Sequence, residues 1–163
     1  MTRLKTAVGS ALFFIIAPGV VAGLLPWLLT GWRFAEPLPF WTPVRFAGGA
    51  LIAAGALVLL QAFARFVMEG LGTPAPVAPT ERLVVGGLYG YVRNPMYLAV
   101  LAVIVGQVLL FGQLGLLVYA GLVALAFVVF VKAYEEPTLR ARYGAEYDDY
   151  LREVPGWWPR LRR

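Results

Sequence analysis

The sequence predicts an all-α integral membrane protein: four transmembrane helices, the last two forming a C-terminal helical hairpin that leads into an amphipathic interfacial C-terminal helix. Three observations carry that reading. Hydrophobic residues make up 60% of the chain and charged residues 14%, with a mean hydropathy of +0.73, outside the range of soluble domains. From Asn94 to Val131 the chain runs 38 residues without a charge, too long for one ordinary crossing and enough for two slim ones. On a four-span reading twelve of the 14 Lys and Arg residues fall on one side and only Arg33 and Arg45 on the other, the asymmetry of cytoplasmic segments. Both termini are therefore expected to be cytoplasmic.

The first span is expected within Thr6 to Trp32, a stretch with no charge. Arg3 and Lys5 before it resemble the charged start of a signal peptide, but the apolar run continues past the small residues Ala22-Gly23. A retained span with kinks near Pro18 and Pro26 is expected instead. Phe46 to Ala64 gives the second, 19 residues whose only polar side chain is Gln61. Within it Gly48, Gly49 and Gly55, with Ala53, Ala54 and Ala56, offer a small-residue surface for close packing against a helix of this chain or of another copy. Gly70 to Tyr91, punctuated by Pro74, Pro76, Pro79 and by Gly72, Gly86, Gly87 and Gly90, reads as a structured loop. The hairpin, 94–131, turns around Phe111-Gly112-Gln113-Leu114-Gly115, and Gln107 and Gln113 are expected to hydrogen-bond between its helices. Glu135 to Val154 alternates charges and aromatics at helical spacing, which predicts an interfacial helix with Tyr143, Tyr147 and Tyr150 as anchors and Asp148-Asp149 on a solvated face. Pro155 to Pro159 ends it, with Trp157 and Trp158 anchoring the tail. Residues 1–69 thus read as a scaffold and lipid-facing wall, and 70–163 as the region that carries chemistry.

Composition narrows that chemistry. With no Cys and no His, thiolate nucleophiles, disulfides and the commonest metal ligands are excluded, and no metal site is expected. A net charge of +5 and a pI near 9.8 suit an anionic leaflet better than nucleic acid, because the cations flank apolar spans and form no soluble basic face. A hairpin brings Arg93, Asn94 and Tyr97 at its start close to Lys132, Tyr134, Glu135 and Glu136 at its end. The structural alternative is that Arg93 marks topology, Pro95 starts a helix, Glu136 pairs with Arg140 at i, i+4 and Lys132 snorkels to the headgroups.

Gly87-Leu88-Tyr89, then Arg93-Asn94-Pro95-Met96-Tyr97, a hydrophobic hairpin, Glu135-Glu136-Pro137-x-Leu139, Tyr143-Gly144-x-x-Tyr147-x-x-Tyr150 and Val154-Pro155 form an ordered set. This set resembles the isoprenylcysteine carboxyl methyltransferase and phospholipid methyltransferase superfamily, over about the last half of the chain from Pro79 onward. The resemblance implies an integral membrane enzyme that binds S-adenosylmethionine in a cytosol-facing pocket and methylates a lipid or lipidated acceptor entering from the bilayer. It implies cofactor contacts from Leu83, Val84, Tyr89, Asn94, Pro95, Met96, Tyr97, Glu135 and Glu136. Arg93 and Glu136 are the expected catalytic pair, Arg93 to hold the donor's carboxylate and Glu136 to take a proton from an amine acceptor. The family's usual pattern has His after the Arg; Asn94 offers a donor and an acceptor but cannot gain a proton.

Two other readings share the spans. An NADPH-dependent membrane reductase of the sterol reductase type would want a basic cluster for the extra phosphate, and the loop offers only Arg82 and Arg93. A non-enzymatic scaffold or transport subunit would leave both polar clusters as caps and topology marks, and transporters put ionisable or broken-helix features at mid-membrane, where this hairpin has no charge. Between a prenylcysteine-like carboxylate and a phospholipid amine as acceptor the sequence does not choose.

Overall fold

Pro26 decides the shape of the first helix. The computed structural model describes residues 12, 16–69 and 82–160, all helix, turn or loop with no strand among them. The start of the first predicted span and the loop residues Pro74, Pro76 and Pro79 lie outside the described residues, as do Arg3, Lys5, Arg162 and Arg163. Helix α1 (Ile16–Thr30) widens into a π-helical turn at Val20–Leu24, where the Leu25 N–H donates to the Val20 carbonyl. Pro26 has no N–H, so it can bond neither the Ala22 carbonyl four residues back nor the Val21 carbonyl five back. Gln107 Nε2 donates to Ala22 O at 2.5 Å and the Tyr119 hydroxyl to Val21 O at 2.6 Å, which satisfies both acceptors. The predicted kink near Pro26 is thus a widened turn, and Gln107 bridges to α1 rather than across the hairpin.

After Gly31 ends α1 in the left-handed conformation, a loop leads to α2 (Thr42–Glu69). That loop is clasped to the far end of the hairpin: Ala35 N–H donates to Phe111 O (2.7 Å), Trp41 Nε1 to Leu109 O (2.8 Å), and Trp32 Nε1 to Gln107 Oε1 (3.0 Å). Gln113, expected within the hairpin, donates instead to Arg33 O at 2.8 Å.

Helix α2 is longer than the predicted 46–64 and packs along α3 (Pro95–Phe111) almost backbone to backbone. A Cβ on Gly48 would lie 2.5 Å from Leu110 N, and one on Gly55 would lie 2.9 Å from Ala99 O; on α3, a Cβ on Gly106 would meet Gly48 O at 2.9 Å. The glycine surface of the second span therefore faces its own chain. Gly49 meets nothing, and Ala53, Ala54 and Ala56 point outward. Gly112, with φ +69° and the Ala35 carbonyl against it, makes the hairpin turn that the sequence places there.

Helix α4 (Leu116–Tyr143) does not stop where the charges begin. A second π-helical turn, Val131–Glu135, carries it straight into Glu136–Tyr143, and the chain breaks only at Gly144 (φ +56°) before α5 (Ala145–Glu153). The predicted interfacial helix 135–154 is thus the tip of a long helix plus a short separate one. Its tyrosines also differ from expectation: Tyr147 and Tyr150 are buried with Val154 against Leu83 and Leu139, a packed core rather than membrane anchors.

The main core, Ala22, Leu59, Ala99, Val100, Ile104 and Ala120, draws on α1 to α4. Two helices, Thr42–Arg65 and Leu116–Tyr143, are long and apolar enough to cross a membrane, and Ile16–Thr30 and Pro95–Phe111 are shorter apolar helices. Only 22% of each long span's most apolar window is buried, with Leu117, Val118, Leu122, Leu125 and Val129 turned outward on α4. So much exposed hydrocarbon on a regular helix suits lipid and not water.

Candidate functional site

Where α3 begins and the charged tip of α4 ends, two carboxylates adjacent in sequence are bound by different partners. The Tyr97 hydroxyl donates to Glu135 Oε2 at 2.7 Å. Arg93 Nη1 donates to Glu136 Oε1 at 3.0 Å, and Lys132 Nζ lies 3.0 and 2.9 Å from the two Glu136 oxygens. The Arg93 and Glu136 side chains are only 12% and 13% exposed, whereas Lys132 is 58% exposed. Glu136 is therefore neutralised by two cations, while Glu135 is bonded by a neutral phenol. Arg140, the expected i, i+4 partner of Glu136, pairs instead with Asp148 at 2.7 Å, and Asp149 pairs with Arg152 at 3.1 Å.

Hairpin geometry explains the meeting. Pro95 supplies the first turn of α3 with its fixed φ and missing N–H, where no intrahelical donor is needed. Tyr97 then faces α4, its ring 4.7 Å from that of Phe127. On the other helix the π-helical turn ends on the first of the two glutamates, and there Glu135 reaches Tyr97 while Glu136 reaches Arg93.

A strap formed by residues 154–160 crosses the start of α3. Arg93 donates its backbone N–H to Pro155 O (2.9 Å) and its Nε to Val154 O (3.0 Å); Asn94 Nδ2 donates to Gly156 O (3.0 Å), and Arg160 N–H to Tyr91 O (3.0 Å). A Cβ on Gly156 would sit 3.0 Å from Arg93 Nη2, so the strap lies close on the guanidinium. Beneath it, the Tyr150 hydroxyl donates to Tyr89 O at 2.7 Å. Burial pushes the phenols of Tyr89, Tyr147 and Tyr150 up from their ordinary value, which keeps Tyr150 a neutral donor.

Every sequence-predicted site residue lies in this neighbourhood. Val84 and Tyr89 are buried with Ala62 and touch Met96, while Leu83 packs beside Tyr147 and Tyr150. Asn94 is buried and holds the strap, and Arg93 binds the strap and Glu136 together. Met96 and Tyr97 also line a cavity of about 80 Å³ between α1, α2, α3 and α4, with Ala17, Pro18, Val21, Leu59, Val100 and Phe127 as its other walls. Its lining is wholly apolar, and the hydroxyl of Tyr97 is bonded to Glu135, so Tyr97 stands at the junction of a hydrocarbon-lined space and a carboxylate. Among the described residues no cluster of three His, Asp or Glu could hold a metal ion.

The sequence leads one to expect Trp157 as a membrane anchor beside Trp158. The structure separates them: Trp158 is 83% exposed, whereas the Trp157 indole turns inward to 6.3 Å from the Tyr97 ring. The pattern Pro-Gly-Trp-Trp-Pro held the only available signal, since a Gly before one Trp allows the close approach that draws that side chain in.

Residues 44–146 match the family model of phospholipid methyltransferase. No curated protein matches the chain.

Proposed function

The chain belongs to the phospholipid methyltransferase family, and from that premise we propose that it transfers a methyl group from S-adenosylmethionine to a lipid or lipidated acceptor at the cytoplasmic membrane face. The single observation that carries this reading is Tyr97, shared by the apolar cavity and the Glu135 contact. An amphiphile needs such a junction: its hydrocarbon in the cavity, its reactive head at the polar edge. All four apolar helices cross the bilayer in this reading. The first two form the scaffold and lipid-facing wall, and the region from residue 70 onward forms the cofactor site.

The donor set suits the cofactor. It carries a sulfonium and an amino group, both cationic, together with ribose hydroxyls, a carboxylate and an adenine ring. Glu135 keeps a second carboxylate oxygen for the amino group or a ribose hydroxyl, and the aromatic faces of Tyr97 and Tyr89 suit the adenine or the cation. When bound, the sulfonium supplies an electrophilic methyl group, whose bond to sulfur breaks as the acceptor's lone pair forms the new bond and sulfur keeps the electron pair. The residues therefore have to align and exclude water more than to perform acid-base chemistry. Arg93 contributes by fixing Glu136 and the strap, because its Nε and Nη1 are already engaged with Val154 O and Glu136. An amine acceptor has a proton to lose, and the proposed recipient is Glu136 or a water beside it; a carboxylate acceptor needs no base.

Calorimetric titration of the detergent-solubilised protein with S-adenosylmethionine tests the reading. Binding is expected, and Glu135→Ala and Tyr97→Ala should each weaken it about tenfold or more, the loss of one charge-assisted contact. Unchanged affinity in both variants would remove this site. Mass spectrometry of lipids and prenyl compounds from cells with and without the chain, seeking the added mass of one methylene, identifies the acceptor.

A further inference from the structure

We infer that Trp157, carried in by the strap, is a cation-binding residue: its indole and the Tyr97 ring form an aromatic wall beside the Glu135 carboxylate that holds the sulfonium form of the methyl donor in preference to the neutral thioether left after transfer. This rests on the methyl-transfer reading and adds to the site a residue outside the matched segment 44–146.

Four observations support it. The strap is fixed by hydrogen bonds from Arg93, Asn94 and Arg160 on both sides of Trp157, so the indole is held in place rather than lying loosely on the surface. Its ring lies 6.3 Å from Tyr97 at an interplanar angle of 36°, and Phe127 lies 4.7 Å from Tyr97 on the hairpin side. Tyr97 is in turn bonded through its hydroxyl to Glu135. The local charge is unevenly compensated: Arg93 and Lys132 both pair with Glu136, and Glu135 is bonded by a neutral group. Electron-rich ring faces beside a carboxylate whose bonded partner carries no charge attract a cation and have no comparable attraction for its neutral counterpart. An enzyme that binds its charged donor more tightly than its uncharged product also clears the site after each turnover.

A purely structural role for Trp157 makes a different prediction. If the indole only pinned the strap, its loss would loosen the site for charged and uncharged ligands alike. The test is titration of the full-length, detergent-solubilised protein with S-adenosylmethionine and, separately, with S-adenosylhomocysteine, the thioether without the charge. Trp157→Leu should lower affinity for the sulfonium about 2- to 30-fold, the range of one cation–π contact, and leave that for the thioether within about twofold. Trp157→Phe, a milder change that keeps an aromatic face, should fall between wild type and Trp157→Leu for the sulfonium alone. Equal losses for both ligands, or no loss for either, would overturn the inference while leaving the methyl-transfer reading standing. Wild-type protein that binds neither ligand would overturn that reading itself.

Discussion

Glu136 shows how two contacts to one carboxylate differ in weight. Its partner Arg93 is mostly buried and also holds the strap, whereas its partner Lys132 is 58% exposed. Removing the exposed partner costs little, because solvent screens the pair and the long side chain regains its freedom. Removing the carboxylate leaves a buried guanidinium without its counter-charge. Glu136→Gln is therefore expected to lower stability by about 1–3 kcal/mol and Lys132→Ala by less than about 1 kcal/mol, read from thermal unfolding in one detergent. Equal effects would mean that the Arg93 contact is no stronger than a surface pair. Asn94 is a residue whose role the sequence left open. A His at this position can gain a proton; Asn94 donates an amide N–H to the strap carbonyl of Gly156. Its type marked it as polar, but its partner lies 62 residues away and no local pattern points there.

Both departures from regular helix share one local cause. In α1 the π-helical turn Val20–Leu24 stands two residues before Pro26, and in α4 the turn Val131–Glu135 stands two residues before Pro137. Each proline removes a backbone donor and crowds the carbonyl four residues back, and a wider turn relieves the crowding without breaking the helix. The surroundings differ. Behind Pro137, Lys132 and Ala133 are exposed; behind Pro26 the Ala22 and Val21 carbonyls, buried and half-buried, accept from Gln107 and Tyr119. Pro26→Ala should let α1 regain its own hydrogen bonds, which makes Gln107 less necessary. Gln107→Leu is expected to cost about 1–3 kcal/mol in the parent and measurably less in the Pro26→Ala background, with a coupling of at least about 0.5 kcal/mol in a double-mutant cycle of unfolding free energies. Strict additivity would separate the two residues. The prolines were visible in the sequence as kinks, but not the choice between a kink and a widened turn, which depends on acceptors supplied by other helices. The same limit applied to the glycines of α2. Composition marked a close-packing surface, and only the structure selects Gly48 and Gly55 for α3 and leaves Gly49 open. Gly48→Ala should accordingly destabilise by about 2 kcal/mol or more, since the new methyl meets backbone atoms, while Gly49→Ala should stay within about 0.5 kcal/mol.

At the scale of the whole molecule, the charge-free hairpin makes most of the site legible in the sequence. Two slim helices joined by a glycine turn had to return the chain to its starting side, so the polar groups flanking them had to meet. What lay beyond reach was the contribution of α1 to the cavity and of the strap to Arg93 and Asn94, because neither carries a pattern tied to the hairpin. The same geometry fixes a topological expectation. The α1–α2 loop is clasped to Phe111 and Gly112 at one end of α3, and the strap to Arg93 and Asn94 at the other. Seventeen helical residues separate those ends, a rise of about 26 Å and close to the thickness of a hydrocarbon core. Phe40 and Trp158 are 93% and 83% exposed at these opposite ends, and the chain has no Cys of its own to confuse a label. Phe40→Cys and Trp158→Cys in sealed, oriented vesicles should therefore react with a membrane-impermeant maleimide from opposite faces, Trp158→Cys from the cytoplasmic one. Labelling of both from a single face would mean that α3 does not cross, and the junction at Tyr97 would then face water instead of the lipid from which the acceptor has to come.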